Sequence, residues 1–174
     1  MRRFVAVAAT AALLMLSVGA GTASANNDPH RAFLLSAPFD LPGGTGGICA
    51  FPVHVAFPVN NEYGTTSYLP DGSPVLKVTG TSFMSVTNVD TLKMITVNVS
   101  AGGTFTYPLD GLTVIASFHG PGFMAATNLT SFGFPSNFVV AAGSGHLVAS
   151  TTSLDFISVS GPLHVLTDVC AALS

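Results

Sequence analysis

An all-β fold, a single antiparallel β-barrel or sandwich of about eight to ten short strands, is what this sequence predicts, and three observations carry the prediction. Apolar residues alternate with period two in several windows, turn residues recur at short intervals, and no window between Asn26 and Leu163 keeps helical periodicity for three turns. Short strands with closely spaced turn signals are the pattern of an antiparallel sandwich or barrel.

The chain begins with a segment of a different kind. Arg2 and Arg3 are followed by an almost unbroken apolar run from Phe4 to Val18, and Ala23-Ser24-Ala25 places small residues at a cleavage position. This is the layout of a signal peptide over residues 1–25, with Ala23 and Ala25 read by the peptidase and Asn26 as the mature N-terminus. The run is shorter than the ~20 residues that span a bilayer, so the expected product is a secreted, extracellular domain with no stable membrane anchor after cleavage. Residues 26–47 are rich in Pro and Gly and end in Gly43-Gly44-Thr45-Gly46-Gly47, which predicts a flexible or loosely docked N-terminal arm. Phe33, Leu34, Leu35 and Phe39 leave open a docked segment that covers a sheet edge. The β domain proper is expected over residues 48–174.

Within that domain the clearest strand sets Phe51, Val53, Val55, Phe57 and Val59 on one face and Pro52, His54, Ala56 and Pro58 on the other. Neither proline can donate to a ladder, and both missing donors fall on one lateral side, which marks an edge or a seam. Ile95, Val97 and Val99 alternate with Met94, Thr96 and Asn98 in a second strand. Leu112 to Phe118 and Phe138 to Ala142 are apolar on both faces, as in a sheet covered on two sides. Turn phrases stand at Asn60-Asn61, Pro70-Asp71-Gly72, Ala101-Gly102-Gly103, Pro108-Leu109-Asp110-Gly111, His119-Gly120-Pro121-Gly122, Gly143-Ser144-Gly145 and Gly161-Pro162. Asp168 to Leu173 reads equally as a last strand or a short helical turn.

Charge excludes some partners. Beyond the leader, Arg31, Lys77 and Lys93 stand against eight acidic residues, a formal −5. Nucleic acid and anionic membranes both require a basic surface. With no Trp and only Tyr63, Tyr68 and Tyr107, the aromatic girdles of a membrane barrel are hard to build. The water-facing positions fall largely to Ser and Thr, which suit a pleated, half-buried surface. Cys49 and Cys170 are the only cysteines, and in an oxidising compartment each has one intramolecular partner, so a disulfide between them is expected. The alternatives are two buried thiols or an intermolecular bond.

Several phrases together carry a resemblance: Cys49 ahead of the Phe51 to Val59 strand, Thr87-Asn88-Val89-Asp90-Thr91 before Thr96-Val97-Asn98-Val99-Ser100, the Gly103-Thr104 turn, and the closing Asp168-Val169-Cys170-Ala171-Ala172-Leu173. The chain resembles small exported actinobacterial β-rich proteins of unassigned function with paired terminal cysteines. The resemblance implies a secreted β fold and a terminal cysteine pair, and it brings no catalytic residues with it.

No catalytic motif stands out. Gly143-Ser144-Gly145-His146 reads as a hairpin loop, because a nucleophile elbow needs a strand-to-helix turn that is absent here. Asp71, Asp90 and Asp110 lie in turn phrases, where Asp bonds its own backbone. His30, His54, His119, His146 and His164 never stand at compact ligand spacing, so no metal and no cofactor is expected. His54 and His164 are the one pair to watch, since a terminal disulfide draws their strands together. Asn98 and Asn128 open glycosylation sequons that a bacterial route leaves unused. The sequence therefore favours a secreted non-catalytic β-domain that binds a cell-wall component, a small apolar ligand or a protein partner. Second stands an extracellular enzyme with dispersed active-site residues, and last a membrane-active or pore-forming protein.

Overall fold

A computed structural model describes residues 31–174. The leader residues, with Ala23, Ala25 and Asn26, and also His30, lie outside the described residues. Eleven strands form one antiparallel sheet: β1 (Arg31–Phe33), β2 (Phe39–Leu41), β3 (Val53–Tyr68), β4 (Pro74–Asn88), β5 (Met94–Asn98), β6 (Gly102–Thr106), β7 (Thr113–His119), β8 (Gly122–Ala125), β9 (Phe138–Ser150), β10 (Phe156–Ser160) and β11 (Leu163–Asp168). A 3-10 turn at Leu129–Phe132 and helix α1 (Val169–Leu173) complete the chain. The all-β expectation holds, although the strands are not uniformly short: β3, β4 and β9 run 16, 15 and 13 residues.

Those three long strands organise the rest. β1 and β2 both pair with β3, β5 and β6 both pair with β4, β7 and β8 share one side of β9, and β10 and β11 share the other. The order β1-β3-β4-β6-β7-β9-β10 is continuous at one end of the molecule. At the other end β5 and β8 part, and the sheet forks into β2-β3-β4-β5 and β8-β9-β11. The two prongs pack face to face in a sandwich-like arrangement, and the sheet does not close into a barrel.

Each long strand bends where the fork begins. β3 carries a bulge between Ala56 and Val59, β4 bends at Gly80 with φ +141°, and β9 bends at Gly143 with φ +132°. A Cβ on Gly80 would sit 2.2 Å from the Asn61 carbonyl oxygen, and one on Gly143 2.0 Å from that of Pro162. Only glycine fits either bend. Five expected turns are therefore corrected. Asn60-Asn61 lies inside β3 and Gly143-Ser144-Gly145 inside β9 rather than in a hairpin loop. Ala101, His119-Gly120-Pro121-Gly122 and Gly161-Pro162 join strands that continue along the same side of β4 or β9, with Gly102 and Gly103 already in β6. Glycine and bulges here re-aim strands without reversing them. The β3 bulge also corrects the face of Val59, which is 40% exposed, because one extra residue flips everything beyond it. Pro58 falls in the same bulge, where the ladder has no need of its missing donor.

The docked alternative describes the arm from residue 31 onward. β1 and β2 pair with β3, and Leu34 and Leu41 are buried, so residues 31–41 extend the sheet instead of hanging free, and the expected boundary at residue 48 cuts through packed structure. Of the two runs expected to be covered on both faces, only Phe138 to Ala141 is fully buried. In β7, Ala116 is buried while Ser117 and His119 are exposed.

The forked end holds the denser core: Val53, Val55, Met84 and Val86 of one prong meet Phe138 and Val140 of the other, closed by Val169 and Leu173 of α1. Cys49 and Cys170 are joined by a disulfide there, with Cα atoms 5.5 Å apart. Asp168 ends β11 and also caps α1, its Oδ1 accepting from the Ala171 N–H, so the closing segment is strand and helix in succession. Asn88, fully buried, ties the parts together. Its Oδ1 accepts from the Asp90 and Thr91 N–H groups, and its Nδ2 donates to the Leu173 carbonyl at 3.0 Å.

Candidate functional site

Under the continuous half of the sheet, reaching to the fork, lies a cavity of about 200 Å³. Its walls follow from the pleat. The inner face of the curved sheet presents Val78 from β4, Phe105 from β6, Ala116 and Phe118 from β7 and Leu147 from β9. Phe57 and Phe123 close it at the fork, their ring centroids 6.3 Å apart, and Phe123 in turn packs on core Phe138. Val99, Ala101 and Gly122 line the gap where β5 and β8 separate.

Four polar side chains interrupt these apolar walls, those of Ser36, Glu62, Ser82 and Tyr107. Glu62 on β3 lies opposite Gly80, and Ser82 lies two residues further along β4, so their side chains enter at the same end, beside the bend. Burial pushes the Glu62 carboxyl above its ordinary range, and the nearby Ser82 hydroxyl opposes that shift. Ser82 is 0% exposed. Its backbone N–H and carbonyl are both held by the Ser100 hydroxyl, yet its own Oγ meets no partner at hydrogen-bond geometry among the described residues. The neighbouring Glu62 carboxyl is the group that draws on Ser82 Oγ, and that oxygen has no surface open to the cavity. Tyr107 enters from the far end, where its N–H bonds Pro74, and burial raises its phenol, which stays a neutral hydroxyl. An apolar chamber with a few convergent polar groups is the usual form of a small-molecule site.

The residues singled out by sequence lie elsewhere. His54 Nδ1 stands 2.6 Å from Asp40 Oδ1 on the exposed side of β3, and His164 is exposed on β11 opposite Ala142. Among the described residues no group of three or more His, Cys, Asp or Glu is gathered to hold a metal. Ser144 bonds His119 at 2.8 Å rather than neighbouring His146, on the exposed face and with no carboxylate bonded to the imidazole. Asp71 and Asp110 accept from the N–H groups of Ser73 and Leu112, as turn chemistry expects, whereas at Asp90 the acceptor is Asn88. The Asn128 amide is spent on both backbone groups of Phe156, and Asn98 accepts from Ser100.

Glu62, Ser82 and Tyr107 were not singled out by sequence reasoning. One signal was present: Glu62 is the only glutamate of the chain, set in a strand while most of the aspartates mark turns and caps. No helix of the described residues is long and apolar enough to cross a membrane. Compared with known proteins, the chain matches no family model, no curated protein and no solved structure.

Proposed function

We propose that this protein is an exported, non-catalytic β-domain that binds a small apolar molecule in the cavity beneath its sheet. The observation that carries the reading is the chamber of about 200 Å³ with aromatic and aliphatic walls and few polar groups. A cavity of about 150 Å³ is enough to take benzene, so this one suits a single ring or a short chain. Export is supported by the leader pattern of residues 1–25 and by the Cys49–Cys170 bond, which belongs to an oxidising space. The test is mass spectrometry of organic extracts from protein recovered from culture medium. Enrichment of one small apolar compound at near-stoichiometric amount is the expected result, and failure of every member of an apolar panel to bind the purified protein refutes the reading.

A second reading has one specific observation behind it. A carboxyl raised by burial in an apolar cavity is also the signature of a general acid or base, and Glu62 fits that description. Turnover of an ester or glycoside that disappears in Glu62→Gln while the fold persists would favour the enzyme.

A further inference from the structure

We propose that the molecule held in this cavity is an amine, an apolar body with one ammonium head that pairs with the Glu62 carboxylate. The inference rests on the cavity being a ligand site and adds to it the charge of the head group. Every other lining residue is uncharged, so Glu62 alone brings charge to the cavity. It is half-buried there, and burial lifts its carboxyl with no cationic side chain opposing the shift. The cations of the described residues are placed elsewhere. Arg31 lies over the Tyr63 ring at 4.3 Å, Lys77 is exposed on the face of β4 opposite to Val78, Lys93 donates to the Ser174 carbonyl, and His54, His119, His146 and His164 are exposed. A carboxylate in a poorly solvated space without a counter-charge costs free energy, and a bound cation relieves that cost.

The rest of the lining suits the same head group. Ser36 follows Leu34, whose N–H bonds the Glu62 carbonyl, so the Ser36 hydroxyl stands at the Glu62 end, while the Tyr107 hydroxyl stands at the other. The Ser82 hydroxyl, sealed from the cavity, draws on one acceptor position of the Glu62 carboxylate, and a carboxylate has about four. Phe57, Phe105, Phe118, Phe123 and Tyr107 supply aromatic rings, whose faces attract a cation as well as hydrocarbon. A carboxylate among aromatic walls therefore selects an organic cation. A hard metal ion takes about six oxygen ligands, more than this carboxylate and the Ser36 and Tyr107 hydroxyls provide. A ligand carboxylate brings a second negative charge against Glu62, and a neutral ligand leaves Glu62 without a counter-charge.

The experiment is calorimetric titration of the mature chain with benzylamine, benzyl alcohol, benzoate and toluene near neutral pH, where the amine is charged. Benzylamine is expected to bind best, with benzyl alcohol and toluene weaker by about tenfold and benzoate weaker still. Glu62→Gln should weaken benzylamine by about tenfold or more and leave toluene within about twofold, as loss of one charge-assisted bond requires. Asp40→Asn, at an exposed carboxylate outside the cavity, should leave benzylamine binding unchanged, which separates pairing with Glu62 from attraction to an acidic surface. Benzyl alcohol, toluene or benzoate binding as tightly as benzylamine overturns the amine assignment while the cavity stands as a ligand site. Benzylamine binding that ignores Glu62→Gln, or that Asp40→Asn weakens equally, also overturns it. No binding by any of the four overturns the ligand site itself. Circular dichroism of both variants separates lost binding from a lost fold.

Discussion

The two ends of this sheet use the same kind of strand for opposite purposes. At the forked end, β2-β3-β4-β5 and β8-β9-β11 lie face to face, so every inward side chain meets another and Val55, Met84, Val86 and Phe138 are wholly buried. At the continuous end Ala116 and Leu147 belong to a smaller buried cluster with Met124, Leu129, Val139 and Ala141, while Phe105, Tyr107 and Phe118 are only half-buried around the cavity. The difference teaches that the fork makes stability and the curl makes room. Bends at the β3 bulge, Gly80 and Gly143 let one set of strands take part in both.

The largest effect should come from untying the forked end. Cys49→Ser opens a loop with a sequence separation of 121 residues, and the chain-entropy account gives a loss of somewhat under ~5 kcal/mol. Denaturant unfolding should show that loss while the far-UV spectrum of the folded variant stays β. An unchanged midpoint would mean the prongs hold without the bond.

Next comes a matched pair of truncations. Phe138→Ala removes a fully buried ring from between the prongs and should cost about 3–5 kcal/mol. Phe105→Ala, at a cavity wall with space already beside it, should cost less than about half as much. Equal losses would show that the cavity end is packed as tightly as the fork. Asn88→Ala, which removes three hydrogen bonds and leaves backbone groups of the β4–β5 turn and α1 unpaired, should cost about 2 kcal/mol, read from the same unfolding curves.

The smallest effect belongs to the cavity and depends on pH. Burial raises the folded-state pKa of Glu62 above its reference of 4.5, so the folded protein holds the proton more tightly than the unfolded chain. The stability contributed by the protonated form is full below that reference and is lost as pH rises through the folded pKa. Glu62→Gln should remove this decline, and unfolding midpoints of the two proteins followed between about pH 4 and 8 should converge at the acid end. A wild-type midpoint that climbs relative to the variant over that range would contradict the burial of the carboxyl.

How much of this was legible beforehand differs by feature. Period-two alternation in Val53 to Phe57 and in Ile95 to Val99 survives into β3 and β5 because each is a local run with one face turned to the core. The disulfide followed from there being only two cysteines. Asn60-Asn61 and Gly143-Ser144-Gly145 misled because glycine and asparagine at bends look the same in sequence whether the strand reverses or merely changes direction.

The sequence by itself determined the β character and the turn carboxylates Asp71 and Asp110, since each rests on local chemistry, and it left Cys49 and Cys170 one possible intramolecular bond, which the fold makes by bringing their Cα atoms to 5.5 Å. Only the tertiary structure decided that β1 and β2 dock, that the sheet forks between β5 and β8, and that Glu62, Ser82 and Tyr107 share one cavity. Those are consequences of which strand lies beside which. Such pairings bring together residues from β3, β4 and the end of β6, and spacing along the chain carries no record of them.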